Sequence, residues 1–504
     1  MPPATVCLLW GWRLFRSANY RGDVPELSQG RKRLVLAICC LSLLIVGMDI
    51  TIVNLALPAI RTDLGASVSG LQWTVDAYTL VLASLLMLGG STGDRLGRKR
   101  VFQAGLIIFT FGSLLCSLAP DLGWLIGARA VQAVGGSMLN PVAMSIITNV
   151  FTERRERARA IGVWGGVVGI SLGVGPIVGG FLVETVGWRG IFWINIPIGL
   201  VAVVLTALFV PESRAARARR PDVVGQALVI VVLASATYAI IEAPRLGWVS
   251  TDTVTLAVVA VVGVIALVLY ESRRRDPLLE MRFFRSVPFA GATLIAVFAF
   301  ASFTGFLFLN TLYLQDVRGL SPIRAGVCTL PMAVVMLVAA PVSGRLVASR
   351  GPRLPLLVAG IGLCVGGLML VPITAHSTLA WVLLSYFVFA TGFGMVNAPI
   401  TNTAVSGMPN SQAGVAAAVA STSRQVGGAL GVAVVGSVLN SRLRGPLATG
   451  FEEASRLAWW IVAGCGLVVL VLGIVASSGW ALRTRERVTY LFAADEQPLP
   501  VNVA

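Results

Sequence analysis

The sequence predicts an all-α polytopic membrane protein: two six-helix bundles with a pair of helices inserted between them, fourteen spans in all. Three observations carry that expectation. Of the 504 residues, 56% are hydrophobic and 12% charged, with a mean hydropathy of +0.84, too little polar surface to face water around a soluble domain of this size. Apolar runs long enough to cross about 30 Å of hydrocarbon recur along the chain. Between them Lys and Arg alternate in abundance, 29 in the segments of one side and 8 in those of the other, while Arg129 and Arg424 lie inside spans.

Taken in order, the segment 1–33 carries six bases. Its apolar stretch 5–17 is too short and too rich in Arg and Trp for a cleaved signal, so the first span is expected to serve as insertion signal. Spans near 34–60, 71–90, 101–118, 122–148, 160–183 and 191–210 make a first bundle over 34–210. A basic linker over 211–222 follows, with Arg214, Arg217, Arg219 and Arg220 between Pro211 and Pro221. Spans 223–243 and 252–270 form the inserted pair, expected to carry no interior charge and to serve as a peripheral, lipid-facing scaffold. After a loop over 271–286, spans near 287–314, 325–343, 354–373, 379–403, 413–439 and 457–482 complete a second bundle over 287–482. The tail 483–504 is polar and expected to lack structure from about 484. The bases put both termini on the cytoplasmic side of a plasma membrane. The alternation fails late, where 404–412 has no base and 440–456 has three.

Several function classes fall away. The net charge of +16 is spread over loops that can lie on an anionic leaflet, without the interleaved aromatics of a nucleic-acid module. Seven dispersed cysteines suggest neither a disulfide framework nor a metal site. Only Lys32 and Lys99 are lysines, each flanked by arginine on both sides, so no P-loop exists. Gly89-Gly90-Ser91-Thr92-Gly93 mimics a nucleophile elbow, but it ends a helix and the one histidine, His376, falls in an outer loop. No cofactor is expected.

The stretch Gly89 to Arg100 spends five of the scarce charges beside four glycines. Small residues let two helices and a tight loop approach, and Asp94 can bond a helix N-terminus or an arginine. Such a cluster, Gly90, Asp94, Arg95, Gly97 and Arg98, can latch one conformation. A degraded copy without the acid runs from Gly344 to Arg353, its framing glycines 344 and 351 spaced like 90 and 97. This is the mark of an internal repeat.

Gly90-Ser-Thr-Gly-Asp94-Arg95-Leu-Gly97-Arg98-Lys99 resembles the signature of the major facilitator superfamily between spans 2 and 3. Five further stretches resemble its fourteen-span drug:proton antiporter family, the EmrB/QacA type. These are Asp49-Ile-Thr51-Ile-Val-Asn54-Leu-Ala-Leu-Pro58, then Arg129-Ala-Val-Gln132, then the antiporter motif at Gly175-Pro176-Ile-Val-Gly179-Gly180, and Trp188-Arg189 to Asn195 with Arg424-Gln425-Val-Gly427-Gly428. Ala133 and Ser171 replace usual glycines. The resemblance covers about 34 to 482 and implies the major facilitator fold.

Ionisable residues within spans should face the bundle interior, since each costs about 2.5 to 3.5 kcal/mol at the bilayer centre on insertion scales. Asp49 is the leading proton carrier: burial favours a neutral carboxyl and a nearby cation a charged one, so alternating exposure drives uptake and release. Asp76 lies nearer the outer face, as a second protonation site or a contact for a cationic substrate. Arg129, on one helix face with Gln132, can set the proton affinity of a carboxylate. Asn54, Gln132, Asn310, Asn397, Thr401 and Arg424 are expected to line a substrate cavity. Gly175, Pro176, Gly179 and Gly180 read as mechanics, a bend and close helix contact that seals the route between compartments.

The resemblance implies a monomeric proton-coupled exporter of amphipathic small molecules, antibiotics included, in a bacterial plasma membrane. Rivals are a proton-coupled uptake carrier of the same fold and a non-transporting receptor, for which Asp49 and Arg129 would be needless. Of 39 basic residues 37 are arginine, which points to a GC-rich genome.

Overall fold

A computed structural model describes residues 27–215, 222–274, 277–406, 408 and 412–496. The first 26 residues of the N-terminal segment, Arg217, Arg219, Arg220 and Pro221 of the basic linker, and part of the loop 404–412 lie outside the described residues.

The first bundle consists of α1 (Gln29–Leu64), α2 (Val68–Leu96), α3 (Arg98–Ser117), α4 (Leu122–Val150), α5 (Arg154–Thr185) and α6 (Gly190–Phe209). The inserted pair is α7 (Val223–Leu246) and α8 (Thr251–Arg273). The second bundle holds α9 (Val287–Val317), α10 (Pro322–Arg350), α11 (Arg353–Leu370), α12 (Leu379–Val405), α13 (Ala413–Arg442) and α14 (Leu447–Ala476), and α15 (Gly479–Glu496) follows. Local chemistry fixes many of the ends. Ser28, Ser67, Asp121, Asp222, Ser250 and Thr378 cap helix N-termini with side-chain oxygens, and α1 stops at Gly65, whose φ of +62° favours glycine.

Thirteen helices among the described residues are long and apolar enough to cross a membrane. α13 is not one of them: its 30 residues match a span in length, but Ser421-Thr-Ser-Arg424-Gln425 dilutes its apolar character. It still runs through the second bundle, packed on α9, α14 and α2.

The helices of the two halves pair in the same way at an offset of eight. α1 packs on α5 as α9 does on α13, α2 on α4 as α10 on α12, α3 on α4 as α11 on α12, and α3 on α6 as α11 on α14. Between the halves, α5 meets α10, α2 meets α13 and α1 meets α9. α7 packs on both α2 and α13, so the inserted pair is not merely peripheral. The expectation that it carries no interior charge fails at its ends. Glu242 is buried because it accepts a hydrogen bond from the Trp73 indole at 2.9 Å, and Asp222 and Glu271 are buried at the opposite end. α8 turns a broad aliphatic face outward.

The tail departs from expectation too. Residues 479–496 are helical, with Ala481, Val488 and Phe492 buried as a stripe, and Arg485 bonds the Ser406 hydroxyl at 3.0 Å. α14 also begins about ten residues earlier than expected, which absorbs most of the loop 440–456 into helix.

Candidate functional site

The interior of the first bundle holds a sealed polar centre. α1 brings Asp49 to it, and α4 brings Arg129 and Gln132 one turn apart. Arg129 Nη1 donates to Asp49 Oδ2 at 2.5 Å and to Gln132 Oε1 at 2.7 Å, and Nε donates to the Thr74 carbonyl at 3.3 Å. Gln132 Nε2 donates to Asp49 Oδ1 at 2.9 Å and to Ser113 Oγ on α3 at 2.7 Å. Asn195 of α6 adds longer bonds to the same two oxygens, 3.4 and 3.3 Å. The guanidinium carbon sits 4.2 Å from the centroid of the Tyr78 ring. Asp49 and Arg129 are each 1% exposed.

Helices meet closely enough for this because glycine removes the side chains between them. A Cβ on Gly112 of α3 would fall 2.5 Å from the Gln132 Cα, and one on Gly136 would fall 3.0 Å from the Tyr78 hydroxyl. The charges are tolerable because they compensate: an unpaired ion here would cost several kcal/mol, whereas each charge faces its opposite and further hydrogen bonds. A proton on Asp49 would remove the counterion of Arg129, which ties protonation to the geometry of five helices.

Asp49, Arg129 and Gln132 thus come together, but Gln132 is fully buried in this centre rather than lining a cavity. Sequence reasoning missed Ser113, Asn195 and Tyr78 as parts of the centre, since a serine, an asparagine or a tyrosine in a helix raises no charge alarm. Asp76 stands apart from this centre: it is fully buried, accepts a bond from the Thr79 hydroxyl at 3.3 Å, and leaves Oδ2 without a partner among the described residues. Asn54 turns back to the Ile50 carbonyl at 2.9 Å and is 5% exposed, and Asn310 is locked by the Tyr386 hydroxyl between α9 and α12. Both therefore sit in helix packing, because buried amides take the nearest backbone or hydroxyl partner. Asn397 is half-buried, and Thr401 is exposed and accepts from Arg424 Nη1 at 3.4 Å, which places these two and Arg424 on one polar face in the second bundle.

The seam between α5 and α10 is closed at one end only. At the end away from the basic loops, a Cβ on Gly180 would come within 2.5 Å of the Pro322 carbonyl, and Gly326 abuts the Pro176 carbonyl. Further along, a Cβ added at Gly173 would lie 2.7 Å from the Ala333 Cβ and one at Gly169 3.8 Å from the Leu337 side chain, and a Cβ at Gly166, Gly165 or Gly162 would meet nothing within 4 Å. Gly175 and Gly179 seat α5 on Thr51 and Ile52 of α1. Polar links tie the closed end across the halves: Arg61 to Asp316 at 2.7 Å, Gln315 to the Leu55 carbonyl at 2.8 Å, and the Ile323 amide to Glu184 at 3.1 Å.

At the basic end, Gly90 and Gly93 press on Pro141 and Val142 of α4. Asp94 accepts two bonds from Arg98, at 3.0 and 2.9 Å, and its carbonyl accepts from the Ala215 amide. Gly97 has a φ of +117° and lies against the Glu212 carboxylate, which takes the Lys99 amide at 3.1 Å. The loop is thus docked on its own bundle and on the first residues of the linker. Arg95 is exposed and makes no ion pair among the described residues. In the degraded copy a Cβ added at Gly344 or Gly351 would meet nothing within 4 Å.

Residues 39–432 match the profile of the Major Facilitator Superfamily. The chain is 36% identical over 474 residues to the methylenomycin A resistance protein of Streptomyces coelicolor, covering 93% of this chain and 94% of that one. It is 36% identical over 414 residues to multidrug resistance protein Stp of Mycobacterium tuberculosis, covering 82% and 77%. A crystal structure of a bacterial homologue of the human lysosomal transporter Spinster, inward-facing and occupied, superposes with a TM-score of 0.62 at 16% identity, over 94% of this chain and 100% of that one.

Proposed function

The chain belongs to the Major Facilitator Superfamily, and from that premise we propose that it exports amphipathic small molecules, antibiotics among them, across a bacterial plasma membrane in exchange for protons. Relatives named for multidrug or antibiotic resistance, 36% identical over most of the chain, support the cargo. The excess of Lys and Arg supports a cytoplasmic basic end and cytoplasmic termini, so the open end of the α5–α10 seam faces the cytoplasm. The protein works as a monomer, without a cofactor or a catalytic centre, and draws on the proton gradient.

The buried Asp49–Arg129 pair carries the coupling. In the form open to the cytoplasm the acid is paired and the centre is sealed. When the molecule opens outward and discharges its cargo, a proton from outside settles on Asp49 and leaves Arg129 with Gln132, the Thr74 carbonyl and the Tyr78 ring. Breaking one side of such a pair costs about 3 to 5 kcal/mol, which drives the return to the state in which the proton leaves inward. Arg98 and Asp94 brace the loop against the first bundle during the swing.

The test uses protein in liposomes with an entrapped pH dye and a panel of cationic dyes and antibiotics. Wild type is expected to move protons when substrate is added, and Asp49→Asn to bind substrate but move none. Coupling that persists in Asp49→Asn would remove the assignment.

A further inference from the structure

At the basic end of the inserted pair, two carboxyl groups converge that the transport reading does not use. Asp222 starts α7, with Oδ1 accepting the Gly225 amide at 2.8 Å, the Tyr270 hydroxyl at 3.3 Å and an ion pair with Arg274 at 3.1 Å. Glu271, in the last turn of α8, takes the Leu279 amide on Oε2 at 3.3 Å. The remaining oxygens, Asp222 Oδ2 and Glu271 Oε1, are buried with no hydrogen-bond partner among the described residues, and the residues are 4% and 1% exposed. Both oxygens point at one spot: a Cβ on Gly225 would lie 2.7 Å from Asp222 Oδ2 and collide with Glu271 Oε1.

Among the described residues the local charges do not balance: two acids face one guanidinium, Arg274, and Tyr270 is neutral. On the turn that follows, Glu280 is taken by its own Arg282, and from α7 the neutral Gln226 reaches away to the Ser84 carbonyl. Arg273 lies on the open wall beside Tyr270. Two ionised carboxylates cannot sit in such contact without water or a cation between them. We propose that Asp222 and Glu271 hold one proton between them, a carboxyl of one donating to the carboxylate of the other, as a proton-binding site separate from Asp49.

The site has a mechanical meaning. Asp222 ends the first connector between the bundles, whose early residues Glu212, Ser213 and Ala215 are docked on the 94–100 loop. Glu271 opens the second connector through its bond to Leu279. With the proton in place the facing ends of α7 and α8 are pinned together; when it leaves, like charges push those helix ends apart, so cytoplasmic alkalinity acts on the seating of the inserted pair.

The experiment uses the full chain in detergent and lipid. Infrared difference spectra across a pH titration should show a protonated carboxyl that disappears on alkalinisation in wild type and in Asp49→Asn, and is absent from Glu271→Gln and Asp222→Asn. The folded state holds this proton more tightly than the unfolded chain, whose carboxyls release theirs near pH 4.3. Wild-type melting temperature should therefore fall as pH rises above that value until the proton is lost. The slope should vanish in Glu271→Gln, whose amide donates at every pH, and in Asp222→Asn, which retains the helix cap. The proposal is overturned by an unchanged slope in both variants, by a carboxyl signal that disappears with Asp49→Asn, or by a wild-type melting temperature that climbs with added sodium or magnesium, which would make the occupant a metal cation.

Discussion

Asp49 and Arg129 illustrate what a single pair of residues can fix. Because the charges are sealed together, removing one is worse than removing both: Arg129→Met should lose about 3 to 5 kcal/mol of stability, whereas Asp49→Leu with Arg129→Met should recover most of it and yet transport without moving protons. Thermal melts beside pH-dye assays separate the two outcomes. Arg129→Lys should fold but couple poorly, since one ammonium cannot reach Asp49, Gln132 and the Thr74 carbonyl in the geometry of the planar fork. That both face the bundle interior was legible in the sequence because a charge in hydrocarbon is costly; that they meet each other was not, since the spacing along the chain does not say which carboxylate Arg129 reaches. Ser113 and Asn195 were not, since neutral polar residues have many satisfactory homes within a helix. Asn54 and Asn310 show the reverse failure: their amides were taken as cavity groups, and a carbonyl and a tyrosine hydroxyl occupy them instead.

Among the elements, α5 is the one whose role the sequence outlined best, because Gly175, Gly179 and Gly180 leave backbone surface where another helix must lie. Which helix, and over what length, is a tertiary matter: α1 lies along one side and α10 along the other, and contact with α10 fades toward the basic end. The closed end is held by modest forces. A partly exposed ion pair such as Arg61–Asp316 is worth roughly 1 kcal/mol or less, so Asp316→Asn should shift the balance between inward-open and outward-open forms by at most about fivefold. Reaction of a cysteine placed by Ile323→Cys with a membrane-impermeant thiol reagent should rise by that factor. Gly180→Leu should do much more, because the Pro322 carbonyl stands where the side chain must go. α15 went unread for a definable reason: a hydropathy window averages away Ala481, Val488 and Phe492, which only a helical spacing brings to one face.

For the whole molecule, α7 is fastened to α2 twice, Trp73 to Glu242 near one end and Gln226 to the Ser84 carbonyl toward the other. The inserted pair should accordingly travel with the first bundle. Spin-label distances between α2 and α7 should stay constant through the cycle, while those between the basic ends of α5 and α10 shorten when the molecule turns outward. A constant α5–α10 distance would contradict the alternating motion itself. One consequence of the sealed pair concerns electricity. Asp49 and Arg129 sum to zero when the acid is ionised and to one positive charge when it is protonated, so the bare carrier crosses the membrane field as a neutral body and the protonated one as a cation. At one proton per turn, a singly charged cationic cargo would make the exchange electrically silent, deaf to membrane voltage and driven by pH alone. An uncharged cargo would turn the same protein into a current source, with each turn returning about 2.3 kcal/mol for every 100 mV across the membrane.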